Sequence, residues 1–65
     1  MKVSYYADTD TLYIELRPEA AADTRDLDEN TVVEYDGAGN LCAITVEHAR
    51  ERAALPQFTF EHVAA

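Results

Sequence analysis

Apolar and polar residues alternate with a period of two over most of the first two thirds of the chain. The alternating apolar positions are Val3, Tyr5, Leu12, Ile14, Leu16, Val33, Tyr35, Cys42, Ile44 and Val46. Side chains at alternate positions of a strand point to the same face of a sheet. The pattern therefore predicts antiparallel strands that are buried on one face only.

Turn signals separate these strands. Residues 7–10 (ADTD) and 36–40 (DGAGN) carry the aspartates and glycines that favour tight turns. Pro18 ends the second strand because proline has no N–H to donate to a sheet. Residues 23–28 predict a charged strand suited to a sheet edge or to a solvent-exposed face, and residues 29–30 form the turn after it.

The period changes at Glu47. Residues 47–55 are good helix formers and Pro56 follows them, so we predict a short C-terminal helix there. In the tail, residues 56–65, Phe58 and Phe60 alternate with polar residues. This tail is apolar enough to add a strand or to lie across a neighbouring chain.

The predicted architecture is α+β and mainly β, in a single small domain spanning residues 1–65. An antiparallel meander sheet of four to five strands occupies residues 2–46, and the helix and the tail follow it. A short helix cannot cover the apolar face of such a sheet. We therefore expect a second copy to cover it, which predicts a homodimer or higher oligomer. The predicted interface residues are Tyr5, Leu12, Ile14, Tyr35, Ile44, Phe58 and Phe60.

The small size of the chain supports the same expectation. A chain of 65 residues buries only about 60% of its unfolded surface, and such domains usually need a disulfide, a metal or a partner. A single cysteine excludes an internal disulfide. Cys42, His48 and His62 are too few and too irregularly spaced for structural zinc. A partner chain remains.

Thirteen acidic and five basic side chains give a net charge of −8. This balance argues against nucleic acid or an anionic membrane surface as partner, because both need clustered Lys and Arg. The sequence has no apolar run of the roughly 20 residues that cross a bilayer and no signal-peptide pattern at its start, so we expect a cytoplasmic protein. The acidity serves solubility or forms a face that docks a small basic protein.

Two acidic turns are candidate cation sites, and both are better explained as turns. Asp8 and Asp10 flank one turn, and Asp26, Asp28 and Glu29 crowd another. Hard cations bind several carboxylate oxygens, but the ligand spacing of a calcium loop is absent. If both turns lie at one end of the sheet, weak calcium binding is conceivable.

The residues of the chain give little indication of an enzymatic active site. Cys42 and His48 are a geometrically possible pair, but Cys42 falls in the core pattern and His48 at the junction of strand and helix. A domain this small also has little room for a cleft. We therefore predict no enzyme and no cofactor; a site shared across a dimer seam is the one route to chemistry.

Five segments together resemble a family of small bacterial and archaeal proteins, domain of unknown function 2283. They are residues 2–6 (KVSYY), 8–16 (DTDTLYIEL), 27–30 (LDEN), 33–41 (VEYDGAGNL) and 44–49 (ITVEHA). The resemblance covers roughly residues 2–52, and the family seldom has the aromatic tail. It implies no catalytic residues. Some members look like antitoxin partners of small ribonuclease-like toxins, so the resemblance implies a possible inhibitor role.

Two hypotheses follow from the sequence. The first is a homodimeric protein-interaction module without catalytic activity, whose stability depends on concentration. The second is an antitoxin-like inhibitor whose acidic surface covers a basic ribonuclease-like partner.

Overall fold

A computed structural model describes residues 1–53 and 57–64. The strands are β1 (Lys2–Tyr6), β2 (Thr11–Glu15), β3 (Asp23–Asp28), β4 (Thr31–Tyr35) and β5 (Leu41–Glu47), and the helix α1 is Ala49–Arg52. All neighbouring strands are antiparallel and belong to one sheet. The predicted fold class, a mainly β antiparallel sheet with one short C-terminal helix, is confirmed.

The strand order is β1-β2-β5-β4-β3, so the chain leaves sequential order once, after β2. The segment after β2 crosses the end of β5, where the N–H groups of Leu16 and Arg17 both donate to the carbonyl of Cys42 at 2.7 and 3.2 Å. It then reaches β4, where the Ala22 N–H donates to the Tyr35 carbonyl at 2.8 Å. As a result, the charged strand β3 lies at an edge and the apolar strand β5 lies in the centre.

Aspartate side chains hold the predicted turns. In the loop between β4 and β5, one Asp36 oxygen accepts the N–H groups of Ala38 and Asn40, both at 2.9 Å. The Asn40 N–H is the main cause that lowers the pKa of Asp36. Gly39 takes a φ of 87° there, a left-handed conformation that disfavours residues with a Cβ. The local residues therefore determine this hairpin.

The helix is shorter than predicted and starts later than residue 47. Glu47 still belongs to β5, because its N–H donates to the Asn30 carbonyl at 2.7 Å. His48 then takes a left-handed φ of 54°, which breaks the strand and delays the helix to Ala49. Ala53 is already extended and exposed, whereas Ala49 is buried. The predicted helical residues 54 and 55 lie outside the described residues.

The tail adds no sixth strand over residues 57–64, the part of it that the structure describes. The molecule is flat, with extents of 35 × 32 × 18 Å. Its radius of gyration is 12.8 Å, against about 10.7 Å expected for a compact domain of this length. This flatness follows from a single sheet with a very short helix.

Candidate interaction surface

The strand register defines one apolar face of the sheet. Its central row runs from Val3 to Ile14, Ile44 and Val33, each directly opposite the next on the neighbouring strand. A second row runs from Tyr5 to Leu12, Val46 and Thr31. We call the surface formed by these eight residues the apolar face.

Most of the apolar face is incompletely buried in the single chain. Val33 is 3% exposed and Thr31 is buried, but Leu12, Ile14, Ile44 and Val46 are only half-buried. The total accessible surface is 4958 Å². A compact monomer of 7.2 kDa is expected to expose about 4,100 Å². The chain thus exposes roughly 800 Å² more than a compact monomer, and the exposed tail residues 57–64 contribute to this excess together with the apolar face.

Four strand carboxylates lie on the opposite face. Glu15 and Glu34 flank Ala43 across three strands, Glu47 ends β5, and Asp26 lies on β3. We call this surface, defined by the four carboxylates, the acidic face. The division follows from alternation along each strand. On β3 the same alternation places Asp23 and Asp28 on the side of the apolar face, at its edge.

The charges nearest the apolar face compensate each other at its β3 edge. Arg25, opposite Val33, donates to a carboxylate oxygen of Asp23 at 2.8 Å. Its guanidinium also lies 5.3 Å from the centroid of the Tyr35 ring, within range of a cation–π contact. Tyr35, a predicted interface residue, therefore lies at this edge, next to a bulge in which Cys42 is the extra residue.

Helix α1 is attached to one end of the sheet through Asp10. The Tyr5 hydroxyl donates to Asp10 Oδ1 at 2.6 Å, and the Arg50 N–H donates to the same oxygen at 3.1 Å. The hydrogen bond between the two side chains raises the pKa of Tyr5 and lowers the pKa of Asp10. The Asp10 carbonyl accepts the Ala49 N–H at 3.0 Å. One residue thus joins β1, β2 and α1.

Arg52 makes a second attachment. It donates to Thr31 Oγ1 at 2.6 Å and to a carboxylate oxygen of Asp28 at 3.4 Å. Because Thr31 belongs to the outer row of the apolar face, this contact attaches α1 at the β4 end of that row. Ile14 and Ile44 of the central row are half-buried.

Phe58 and Phe60 lie beside β1. With Met1 and Val3 they line a groove of about 470 Å³. Val3 belongs both to this groove and to the central row, so the groove continues the apolar face at its β1 edge. Met1 was not among the predicted interface residues, because nothing in its local sequence connects it to a tail more than fifty residues away.

The aspartates of the two acidic turns form hydrogen bonds within the chain. The two acidic turns do lie at one end of the sheet, but Asp10 binds Tyr5 and Arg50, and Asp28 accepts the Asn30 N–H at 2.8 Å. Over residues 1–53 and 57–64, no three His, Cys, Asp or Glu side chains are grouped as metal ligands would be.

Cys42 and His48 lie near opposite ends of β5, about 20 Å apart at the rise of a strand. The Cys42 thiol is buried and donates to the Asn40 carbonyl at 3.6 Å. Burial raises its pKa, which disfavours the reactive thiolate. The two residues therefore form no catalytic pair.

A single antiparallel sheet with one half-buried apolar face and one acidic face places the chain among small, mainly β proteins. The sequence profile of the family described as "Protein of unknown function (DUF2283)" matches residues 2–50. The chain belongs to this family, as its residues suggested. No curated protein and no solved structure matches the chain.

The matched region contains all five strands and ends within α1, so Phe58 and Phe60 lie beyond it. Within the described residues, no helix is long and apolar enough to cross a membrane.

Proposed function

We propose that this protein is a homodimeric protein-interaction module without catalytic activity, and that the apolar face is its self-association surface. The observation that carries the proposal is the incomplete burial of Leu12, Ile14 and Ile44 at the middle of the five-stranded sheet. Two such sheets packed face to face at about 10 Å would bury these residues from both sides.

The distribution of charge supports contact between like chains. A net charge of −8 on each copy opposes association. Glu15, Glu34, Glu47 and Asp26 lie on the acidic face, however, and in a face-to-face dimer they point away from the seam. The two other strand carboxylates, Asp23 and Asp28, lie on the side of the apolar face at its β3 edge. Asp23 is paired with Arg25 and Asp28 with Arg52, so neither carboxylate enters the contact without a partner.

The proposal places the protein in the cytoplasm. Its one cysteine, Cys42, is a free and buried thiol, which suits a reducing compartment.

A second copy packed on the apolar face would also provide the second layer of structure that a single sheet lacks.

The decisive measurement is the mass in solution by sedimentation equilibrium over a wide concentration range. We expect twice the chain mass of 7.2 kDa, with dissociation on dilution. A mass of one chain at every concentration would refute the proposal.

Two aspartate variants on neighbouring residues of β5 locate the seam. Ile44→Asp places a charge on the apolar face and should abolish the dimer, with or without unfolding. Thr45→Asp places the same charge on the opposite face of the same strand. It should leave the dimer intact, and equal loss of dimer in both variants would contradict the assignment of the face.

A second candidate function is the binding of a small basic protein, such as a ribonuclease-like toxin, on the acidic face. The observation that favours it is the gathering of Glu15, Glu34 and Glu47 on one side of the sheet, around Tyr13. Nearby Glu34 and Glu15 add to desolvation in raising the pKa of the Tyr13 hydroxyl, as expected where negative potential accumulates. This face remains free in a dimer joined through the apolar face.

The test of this candidate is capture of partners from the native cells by the tagged protein. We expect a stoichiometric basic protein that elutes as salt rises, because opposite charges are screened. The triple variant Glu15→Gln, Glu34→Gln and Glu47→Gln should lose it and remain dimeric. Capture of the same protein by the triple variant at equal salt would exclude the acidic face as its binding site.

A further inference from the structure

Three large apolar side chains lie close together and exposed to solvent at one edge of the sheet. Met1 is 77% exposed, Phe58 60% and Phe60 72%. Together with Val3 they line a single groove. Isolated exposed apolar residues are common on protein surfaces, but a contiguous group next to an open apolar face is typical of an interaction site.

The two edges of the sheet differ in character. The β3 edge carries Asp23, Arg25, Asp26 and Asp28, and charges of this kind oppose contact with another chain. The β1 edge carries the aromatic groove and one strand charge, Lys2. The β1 edge therefore extends the apolar face with a group of apolar side chains, whereas Leu27 is the one large apolar side chain exposed on β3.

The area of the face shows why the extension is needed. Five strands about 4.8 Å apart and five residues of about 3.3 Å give roughly 400 Å² in projection. A standard interface buries about 800 Å² on each partner. Each phenylalanine buries roughly 150–250 Å² when covered, and most of both rings is exposed. Phe58, Phe60 and Met1 thus supply much of the missing area.

We propose that Phe58 and Phe60 of each copy anchor the dimer by contacting the apolar face of a second copy at its β1 edge. The occupant is a second copy because the groove is continuous with the self-association surface through Val3. A twofold axis then places both grooves in one seam, since the same patch is used on each partner. This inference rests on the proposed dimer and deepens it by naming the residues that hold it.

The test is the dimer dissociation constant of the full chain with Phe58→Ala and Phe60→Ala combined, by sedimentation velocity. We expect the dissociation constant to rise at least tenfold, because the double variant removes four aromatic side chains from each dimer. Leu27→Ala is the matched control: Leu27 is 67% exposed, but it lies on β3 at the opposite edge. It should leave the dissociation constant unchanged.

The outcomes separate this inference from the proposed dimer. A double variant that dimerises within tenfold of the natural chain overturns the aromatic anchors and leaves the dimer standing. A natural chain that is monomeric at every concentration overturns both, and the groove then belongs to another partner.

A second measurement covers the case in which the double variant loses its fold. Mixed dimers, with one copy isotopically labelled, should show magnetisation transfer between the Phe58 and Phe60 rings of one copy and the other copy. Transfer confined to rings and sheet of the same copy would contradict the proposal.

Discussion

Replacement of Ile44 by alanine should lower the free energy of unfolding by more than expected for a residue that is half-exposed in the single chain. Ile44 lies on the central strand between Ile14 and Val33, and its side chain is half-buried. Truncation of a fully buried isoleucine costs about 2–5 kcal/mol, and a half-exposed one should cost roughly half of that. With a second copy over the face, we expect about 3 kcal/mol per chain; without it, about 1.5 kcal/mol.

The assay is urea unfolding followed by circular dichroism at two protein concentrations about 100-fold apart. For the natural chain, mass action alone should raise the stability of the dimer by about 2.7 kcal/mol over this range. With a denaturant slope of about 2 kcal/mol per molar, the midpoint should rise by about 1.4 M urea. Ile44→Ala should lower the midpoint at both concentrations.

Val32→Ala is the control for this experiment. Val32 is a half-buried aliphatic residue of the neighbouring strand β4, and alternation places it on the acidic face. The Val32→Ala substitution should lower the free energy of unfolding by about 1 kcal/mol at either protein concentration. A midpoint independent of concentration, together with equal costs for the two variants, would refute the reasoning that a second copy covers Ile44.

The remaining predictions concern the turns and the carboxylates. Gly39→Ala should destabilise by about 1 kcal/mol because of its φ of 87°, whereas Gly37→Ala, with equally open space, should not; equal effects in thermal melts would contradict this. The pKa values of Asp10, Asp28 and Asp36 lie below the usual 3.8. The free energy of unfolding should therefore be highest above about pH 5 and should fall as the pH is lowered below that value. An increase in stability below about pH 5 would contradict this prediction. Asp10→Asn should return the Tyr5 pKa toward 10.0, as measured by ultraviolet titration.

The local features of this fold were predictable from the sequence. Alternation along each strand depends only on neighbouring residues, so it correctly grouped Tyr5, Leu12, Ile14 and Ile44 on one face. Turn chemistry is equally local, and Asp36 and Gly39 form the predicted hairpin loop. The role of these face residues as an interface remains a prediction.

The features that the sequence missed depend on residues far apart in the chain. The helix begins at Ala49 because Asp10 receives its N–H, together with that of Arg50, across almost forty residues. The helix propensity of residues 47–55 depends only on those residues, so it cannot predict a contact with Asp10. Tertiary contacts override local propensity in such cases.

The sequence by itself determined which residues form strands, where the chain turns and which side chains share a face, because periodicity and turn chemistry act between near neighbours. Tertiary structure decided that β5 lies in the centre, that α1 is attached at one end of the sheet, and that Phe58 and Phe60 line a groove with Met1 and Val3. The physical reason is that strand pairing and side-chain packing join distant segments, and an alternating pattern is compatible with many pairings.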